Sequence, residues 1–176
     1  MMKSFARIAL ALTLVLSAWT AAAQEQPKCR SLDGPGARRF LPDRVPLEAE
    51  LVAVDSGKFT ALEFPDKTRL AIAPLVTSGL PSAFRQKYEF ILVSETRVKL
   101  GRWDLPSGMV GIALEPENLD APTRMLIARD FSGNEIERVA LQLATSGKET
   151  RLNLMPKGEK EFELRFGSYV IAGKQR

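Results

Sequence analysis

The fold class is decided by residues 47–73, which read LEAELVAVDSGKFTALEFPDKTRLAIA. Apolar and polar residues alternate at the start of the segment 47–54, which ends in the apolar run 51–54, and two more short apolar segments follow at 59–64 and 68–73. Alternation with a period of two is typical of half-buried β-strands. The turn sequences at 55–58 and 65–67 separate the segments. This stretch therefore predicts a three-stranded antiparallel meander.

The rest of the chain continues in short segments of the same kind. We predict further strands at 88–93, 97–100, 109–114, 124–129, 136–144, 150–155, 161–166 and 169–172. One short helix is predicted between 74 and 87, where Pro81 suits a first helical position. Strand and loop lengths vary, which favours an antiparallel β-sandwich over a barrel. The predicted all-β domain spans 47–176.

The chain begins with MMKSFARIALALTLVLSAWTAAA, residues 1–23. Lys3 and Arg7 precede a short apolar run, and Ala21 and Ala23 form a small-residue cleavage pattern, which predicts a signal peptide. The run is shorter than the roughly 20 apolar residues that a membrane-spanning helix needs. We therefore expect a periplasmic or secreted protein with no transmembrane segment after cleavage.

Residues 24–46 are rich in proline, glycine and arginine, which predicts a flexible arm before the domain. Arg38 and Arg39 are its candidate contacts with an anionic partner, and a solvated linker is the alternative. Cys29 is the only cysteine of the chain, so an intramolecular disulfide is excluded. We expect an exposed thiol on the arm, with an intermolecular disulfide as the second interpretation.

The chain contains no histidine. This removes the base of Ser-His-Asp and Cys-His sites and the commonest ligand of zinc and copper. We accordingly predict no metal, no cofactor and no catalytic residue. Loss of Lys3 and Arg7 with the signal peptide leaves 23 basic residues against 21 acidic ones, so the net charge falls from +4 to +2. So small a charge on an exported protein argues against a nucleic-acid partner.

Two neighbouring residues are the main candidates for binding inside the domain. Arg102 and Trp103 lie in a predicted connection, and Trp103 is the only tryptophan outside the predicted signal peptide. An exposed indole stacks on sugar rings and is frequent at protein interfaces. The alternative is a tryptophan that closes one end of the core. The segment 130–135 is a second candidate, either a hairpin turn or a calcium site.

Residues 100–110 read LGRWDLPSGMV and include the corner Leu105-Pro106-Ser107-Gly108. This stretch resembles an uncharacterised family of exported bacterial β-sandwich proteins that carry a Leu-Pro-x-Gly corner between two strands. The resemblance implies a β-sandwich in the bacterial envelope. No activity is established for the family, so it implies no site residues.

These observations predict an exported, non-enzymatic β-sandwich protein of the bacterial envelope that binds a partner protein or a ligand. Two alternatives stay open. One is a carboxylate-based hydrolase or lyase acting on envelope polysaccharide, which requires two carboxylates facing each other across a cleft. The other is a carrier of a small apolar ligand, which requires an internal cavity.

Overall fold

The computed structural model describes residues 28–116, 123–144 and 150–176, so the predicted signal peptide lies outside the described residues. The described chain is built from short strands and two short helices. In chain order they are β1 (Arg30–Leu32), α1 (Pro35–Arg38), β2 (Arg44–Leu47), β3 (Glu50–Val54), β4 (Thr60–Glu63), β5 (Arg69–Val76), α2 (Ser82–Lys87), β6 (Phe90–Ser94), β7 (Val98–Leu100), β8 (Trp103–Leu105), β9 (Gly108–Leu114), β10 (Thr123–Arg129), β11 (Glu135–Leu143), β12 (Thr150–Pro156), β13 (Glu161–Gly167) and β14 (Tyr169–Gln175).

The main sheet runs in the order β1-β4-β5-β6-β9-β10-β11-β14-β13-β12, and the pairs along it are antiparallel. The path does not close into a barrel. Its two ends are linked by single hydrogen bonds, in which the Leu154 amide donates to Thr60 Oγ1 (3.1 Å) and the Cys29 amide donates to the Glu159 carbonyl (3.0 Å). The prediction of an all-β antiparallel fold that is not a closed barrel is confirmed.

An inner core fills the space that the folded sheet encloses. Strands from opposite ends of the path meet there, as two aromatic contacts demonstrate: Phe64 packs on Phe162 (ring centres 5.9 Å apart) and Phe90 on Phe166 (5.2 Å). The β7–β8 hairpin closes one side by inserting its inward residues into this core, namely Val98, Leu100, Trp103 and Leu105.

An outer core lies on the other face of β4, β5 and β6. The sheet contributes small or branched residues there, and the β2–β3 hairpin, α1 and α2 cover them; the participants include Ala61, Ala71, Ala73, Ile91, Val93, Val45, Leu47, Val52, Ala37 and Phe84. Both faces of β5 are therefore buried. This explains why Leu70–Ala73 is a continuous apolar run, since a strand covered on both faces does not alternate.

The segment expected to be a flexible arm is part of the fold from residue 28 onward, which corrects that expectation. It forms β1, α1 and β2, and its apolar residues Cys29, Ala37, Leu41 and Val45 are buried. The prolines and glycines bend the segment so that it wraps the sheet. Its few apolar side chains fill the outer and inner cores, and this burial fixes it in place.

The predicted strand 47–54 is also wrong in one respect, because a tight turn divides it into β2 and β3. Glu48 adopts a left-handed backbone conformation with φ 54°. Its amide donates to the Phe131 carbonyl, and its carboxylate pairs with Lys87 Nζ at 2.8 Å. These long-range contacts stabilise a conformation that glutamate rarely adopts. As a result β3 pairs with β2 and β5, not with β4.

The other predicted strands are confirmed, and α2 lies within the segment predicted to hold the single helix. The short elements β1, α1 and β8 were not predicted from the sequence. All three are short, and β8 owes its extended form to pairing with β7, in which Leu100 lies opposite Trp103.

Gly173 provides a direct test of the inner core. It lies opposite Phe162 across the β13–β14 pair, and a Cβ atom there would overlap the Phe162 ring. We expect Gly173→Ala to lower the free energy of unfolding by about 1–3 kcal/mol, because overfilling a packed site forces side chains off their rotamers. Gly36→Ala is the control, since nothing lies within 4 Å of the added methyl. Equal stability of the two variants in urea unfolding would contradict the described packing.

Candidate functional site

Strand β14 divides one of its edges between two partners. Gln142 and Leu143 of β11 pair with its first residues, whereas β7 pairs with 173–175. Gly101 lies where these partners separate, and its amide donates to the Ala172 carbonyl at 2.9 Å. Its φ of +55° favours glycine, and a Cβ atom would lie 3.1 Å from the Ile171 side chain. The separation leaves a depression in the sheet surface.

Three surface hollows share Gly101, with volumes of about 410, 350 and 240 Å³. We call them together the Gly101 groove. Small or apolar residues form much of the lining and charged residues stand beside them; the lining includes Ala140, Val170, Ala172, Gly173, Lys99, Lys157, Lys174, Glu161, Glu163, Arg102 and Gln142. This is a concave and polar-rimmed surface of the kind that receives ligands.

The carboxylates of the groove are held in ion pairs. Glu163 lies 3.1 Å from Lys157 Nζ and 2.6 Å from the Arg165 guanidinium. Burial raises the pKa of Glu163, but hydrogen bonds from Lys157 and Arg165 outweigh burial and hold the pKa below its usual value. Glu163 therefore stays ionised at neutral pH and is unsuited to act as a general acid.

The two predicted contacts at 102 and 103 differ sharply in accessibility. Arg102 lines the groove with a side chain that is 74% exposed, and it donates to the Arg138 carbonyl at 2.9 Å. Trp103 is only 6% exposed and belongs to the inner core. The indole thus closes one side of the core, as the alternative prediction has it, and Arg102 is the accessible member of the pair.

Arg38 and Arg39 lie elsewhere. They end helix α1 and follow it, are exposed, and sit on the layer that covers the outer core through Ala37. Arg102 belongs to the hairpin that covers the inner core. The structure therefore does not bring the two predicted pairs into one site.

A separate pocket of about 430 Å³ contains a partly buried carboxylate. Glu89 lines it together with Arg85 and Arg124, and the Leu114 amide donates to Glu89 Oε1 at 3.4 Å. Burial raises the pKa of Glu89, and the hydrogen bond from Leu114 and the charge of Arg124 offset this only in part. Glu89 is the only carboxylate among the described residues that lines this pocket, so the described residues do not form there the facing pair that glycoside hydrolysis requires.

The segment 130–135 is a hairpin turn between β10 and β11. The Asp130 carboxylate accepts hydrogen bonds from the amides of Ser132 and Asn134 and from the Asn134 side chain, each at 2.9 Å. These bonds stabilise the turn by ordinary aspartate chemistry. Within residues 28–116, 123–144 and 150–176, no group of three acidic or cysteine side chains is placed to hold a metal ion.

The chain was compared with protein-family models, curated proteins and solved structures, and none of them matches it. The resemblance at Leu105-Pro106-Ser107-Gly108 stays a prediction. In the part of the chain that the structure describes, no helix is both long and apolar enough to cross a membrane.

Sequence reasoning found Arg102 but missed the rest of the groove. Lys99 and Ala172 fall within predicted strands, and Lys174 follows the end of the last predicted strand, 169–172. Their meeting depends on the pairing of β7 with β14, where Lys174 lies opposite Lys99. Alternation along a strand gives no information on which distant strand becomes its neighbour.

Substitutions at the adjacent residues 102 and 103 test which of the two side chains belongs to the core. We expect Trp103→Ala to lower the free energy of unfolding by about 3–5 kcal/mol, because it removes a large buried side chain. Arg102→Ala is the control and should change stability by no more than about 0.5 kcal/mol, because the side chain is mostly solvated. Chemical denaturation of both variants measures the difference, and a stable Trp103→Ala protein would contradict the assigned burial.

Cys29 offers a second test, because the expected exposed thiol is buried. Its side chain is 5% exposed, and burial raises the pKa of the thiol to about 11. Only the thiolate reacts with disulfide reagents, so labelling of the native protein at pH 8 should be slow and labelling in denaturant fast. Rapid labelling of Cys29 in the native protein would contradict its burial and would again favour an intermolecular disulfide.

Proposed function

We propose that this protein is exported to the bacterial envelope, by the signal peptide predicted at residues 1–23, and works there as a non-enzymatic binding protein. The Gly101 groove is the contact surface. It receives a ligand or a segment of a partner, and Arg102 takes part at its rim. The arginines 38 and 39 lie on a different layer and are not members of this surface.

The observation that supports the proposal is that the groove combines a floor of small residues with a rim of charged side chains. Its floor is made by Gly101 and Ala172, which leave space above β14 at the point where the strand passes from its partner β11 to its partner β7. Its rim offers several ionic side chains. A surface of this kind supplies shape and charge for recognition. Its partly buried carboxylate, Glu163, is held in ion pairs with Lys157 and Arg165 and so supports binding better than proton transfer.

The two alternatives find less support. A hydrolase that uses two carboxylates is favoured only by Glu89, which lacks a second carboxylate in its pocket among the described residues. A carrier of an apolar ligand needs an empty interior, whereas side chains from both ends of the sheet fill the inner core, including the pair Phe64 and Phe162.

Site-specific photo-crosslinking in intact cells tests the proposal. The full chain is expressed in bacteria with a photoreactive amino acid in place of Ala172, on the groove floor. We expect irradiation to give a discrete adduct of higher mass in the periplasmic or secreted fraction. The adducted chain should have lost the mass of its first 23 residues.

The matched control carries the same amino acid at Lys58, in the turn before β4, where the side chain is 69% exposed. No adduct is expected at this position, because exposure alone does not create a contact. Equal adducts at both positions, or a chain that stays in the cytoplasm, would contradict the proposed function.

A further inference from the structure

The outer face of β7 and β14 concentrates positive charge beside the Gly101 groove. Lys99 lies in β7, and Arg97 directly precedes that strand. Lys174 lies in β14, and Arg176 directly follows it. Register places them together, because Lys174 lies opposite Lys99 and the Arg176 amide donates to the Arg97 carbonyl at 3.0 Å. All four are exposed. We call them the basic face.

The acidic residues of this region do not neutralise the basic face completely. Asp104 is paired with Arg176 at 2.6 Å, and Glu161 lies 3.4 Å from Lys174. Arg97 and Lys99 have no ion-pair partner within the described residues. Lys99 lies directly opposite Lys174 on one side, which is unfavourable for like charges, and directly opposite Asp104 on the other. Because Asp104 is already paired with Arg176, the four basic residues of the face outnumber its two carboxylates.

Two hollows border the basic face. One, of about 460 Å³, is lined by Arg97, Asp104 and Arg176, and the other is the part of the Gly101 groove that Lys99 and Lys174 line. The excess charge therefore extends over neighbouring concave surfaces. This suits a long ligand that carries repeated negative charges better than a single small anion.

From this arrangement we infer that the ligand of the groove is an anionic polysaccharide, whose carboxylate groups lie along the basic face. The inference rests on the proposed function, since export places the protein among envelope polymers. Arg97 and Lys99 supply the charges that the fold leaves unpaired, and Lys174 supplies a third. The groove floor at Ala172 accommodates the sugar backbone.

Other acidic partners fit this face less well. An extended peptide binds sheets by pairing with a free strand edge. The strands β14 and β7 that carry the basic face have neighbours on both edges, and the free edge of β8 is only three residues long. A lipid surface needs apolar anchors beside the charges. Among the described residues, the exposed large apolar side chains are Leu51, Val76, Met109, Ile136 and Leu143, and none of them belongs to the basic face.

Binding of the purified full chain to polygalacturonate, a carboxylated polysaccharide, tests the inference. Neutral dextran and vesicles of phosphatidylglycerol with phosphatidylcholine serve as comparison probes. We expect binding to polygalacturonate alone, with an affinity that falls as NaCl is raised from about 50 to about 300 mM, because salt screens exposed charges. The double variant Arg97→Glu, Lys99→Glu should lose about tenfold or more in affinity.

The matched control is the double variant Arg38→Glu, Arg39→Glu, which changes the net charge by the same amount on the layer over the outer core. It should keep its affinity within about twofold of the unchanged protein, because Arg38 and Arg39 lie outside the basic face. Attraction by net charge alone would weaken both variants equally. Unfolding midpoints of both variants establish that each is folded, and all four altered residues are exposed.

Three results would overturn the inference: equal losses in both double variants, equal binding of dextran, or binding of the anionic vesicles through Arg97 and Lys99. A protein that crosslinks at Ala172 in cells but does not bind polygalacturonate would retain the proposed function and lose this ligand class. A protein that does neither would lose both.

Discussion

The burial of β5 on both faces is the constraint on which the rest of the structure depends. Leu70 and Ile72 enter the inner core, and Ala71 and Ala73 enter the outer core. A strand in this position cannot be exposed on either side, so the sheet must fold over on one face and be covered by another layer on the other. The covering layer comes from residues 35–54 and from α2. This is why the Pro- and Gly-rich segment is fixed to the fold.

The same constraint determines where a binding surface remains. The β2–β3 hairpin and the helices occupy the outer face of β4–β6, so the outer face of β13, β14 and β7 is left open to solvent. Its strands have neighbours on both edges, and the pairing is interrupted only where β14 passes from β11 to β7. Polar and ionic residues are stable there because water solvates them. The depression forms at Gly101, where β11 ends its pairing with β14 and β7 begins.

The prediction of the strands was accurate because their signal is local. Alternation in 161–166 and 169–172 and the turns between them specify a hairpin whatever the remaining chain does. The failures share another cause. The left-handed conformation of Glu48 depends on Phe131 and Lys87, which are distant in sequence, and the burial of Cys29 depends on its contact with the turn that holds Glu159. The groove was missed for the same reason, apart from Arg102.

The amino-acid sequence by itself determined the all-β fold class, through the periodicity of its short segments. Its composition excluded histidine chemistry, and its first 23 residues predicted export. The tertiary structure alone decided which residues meet. It buried Trp103 and left Arg102 exposed, and it brought Lys99 opposite Lys174. The physical reason is that strand pairing and two-sided burial are long-range. The faces that become core or surface are fixed only when distant strands pack together.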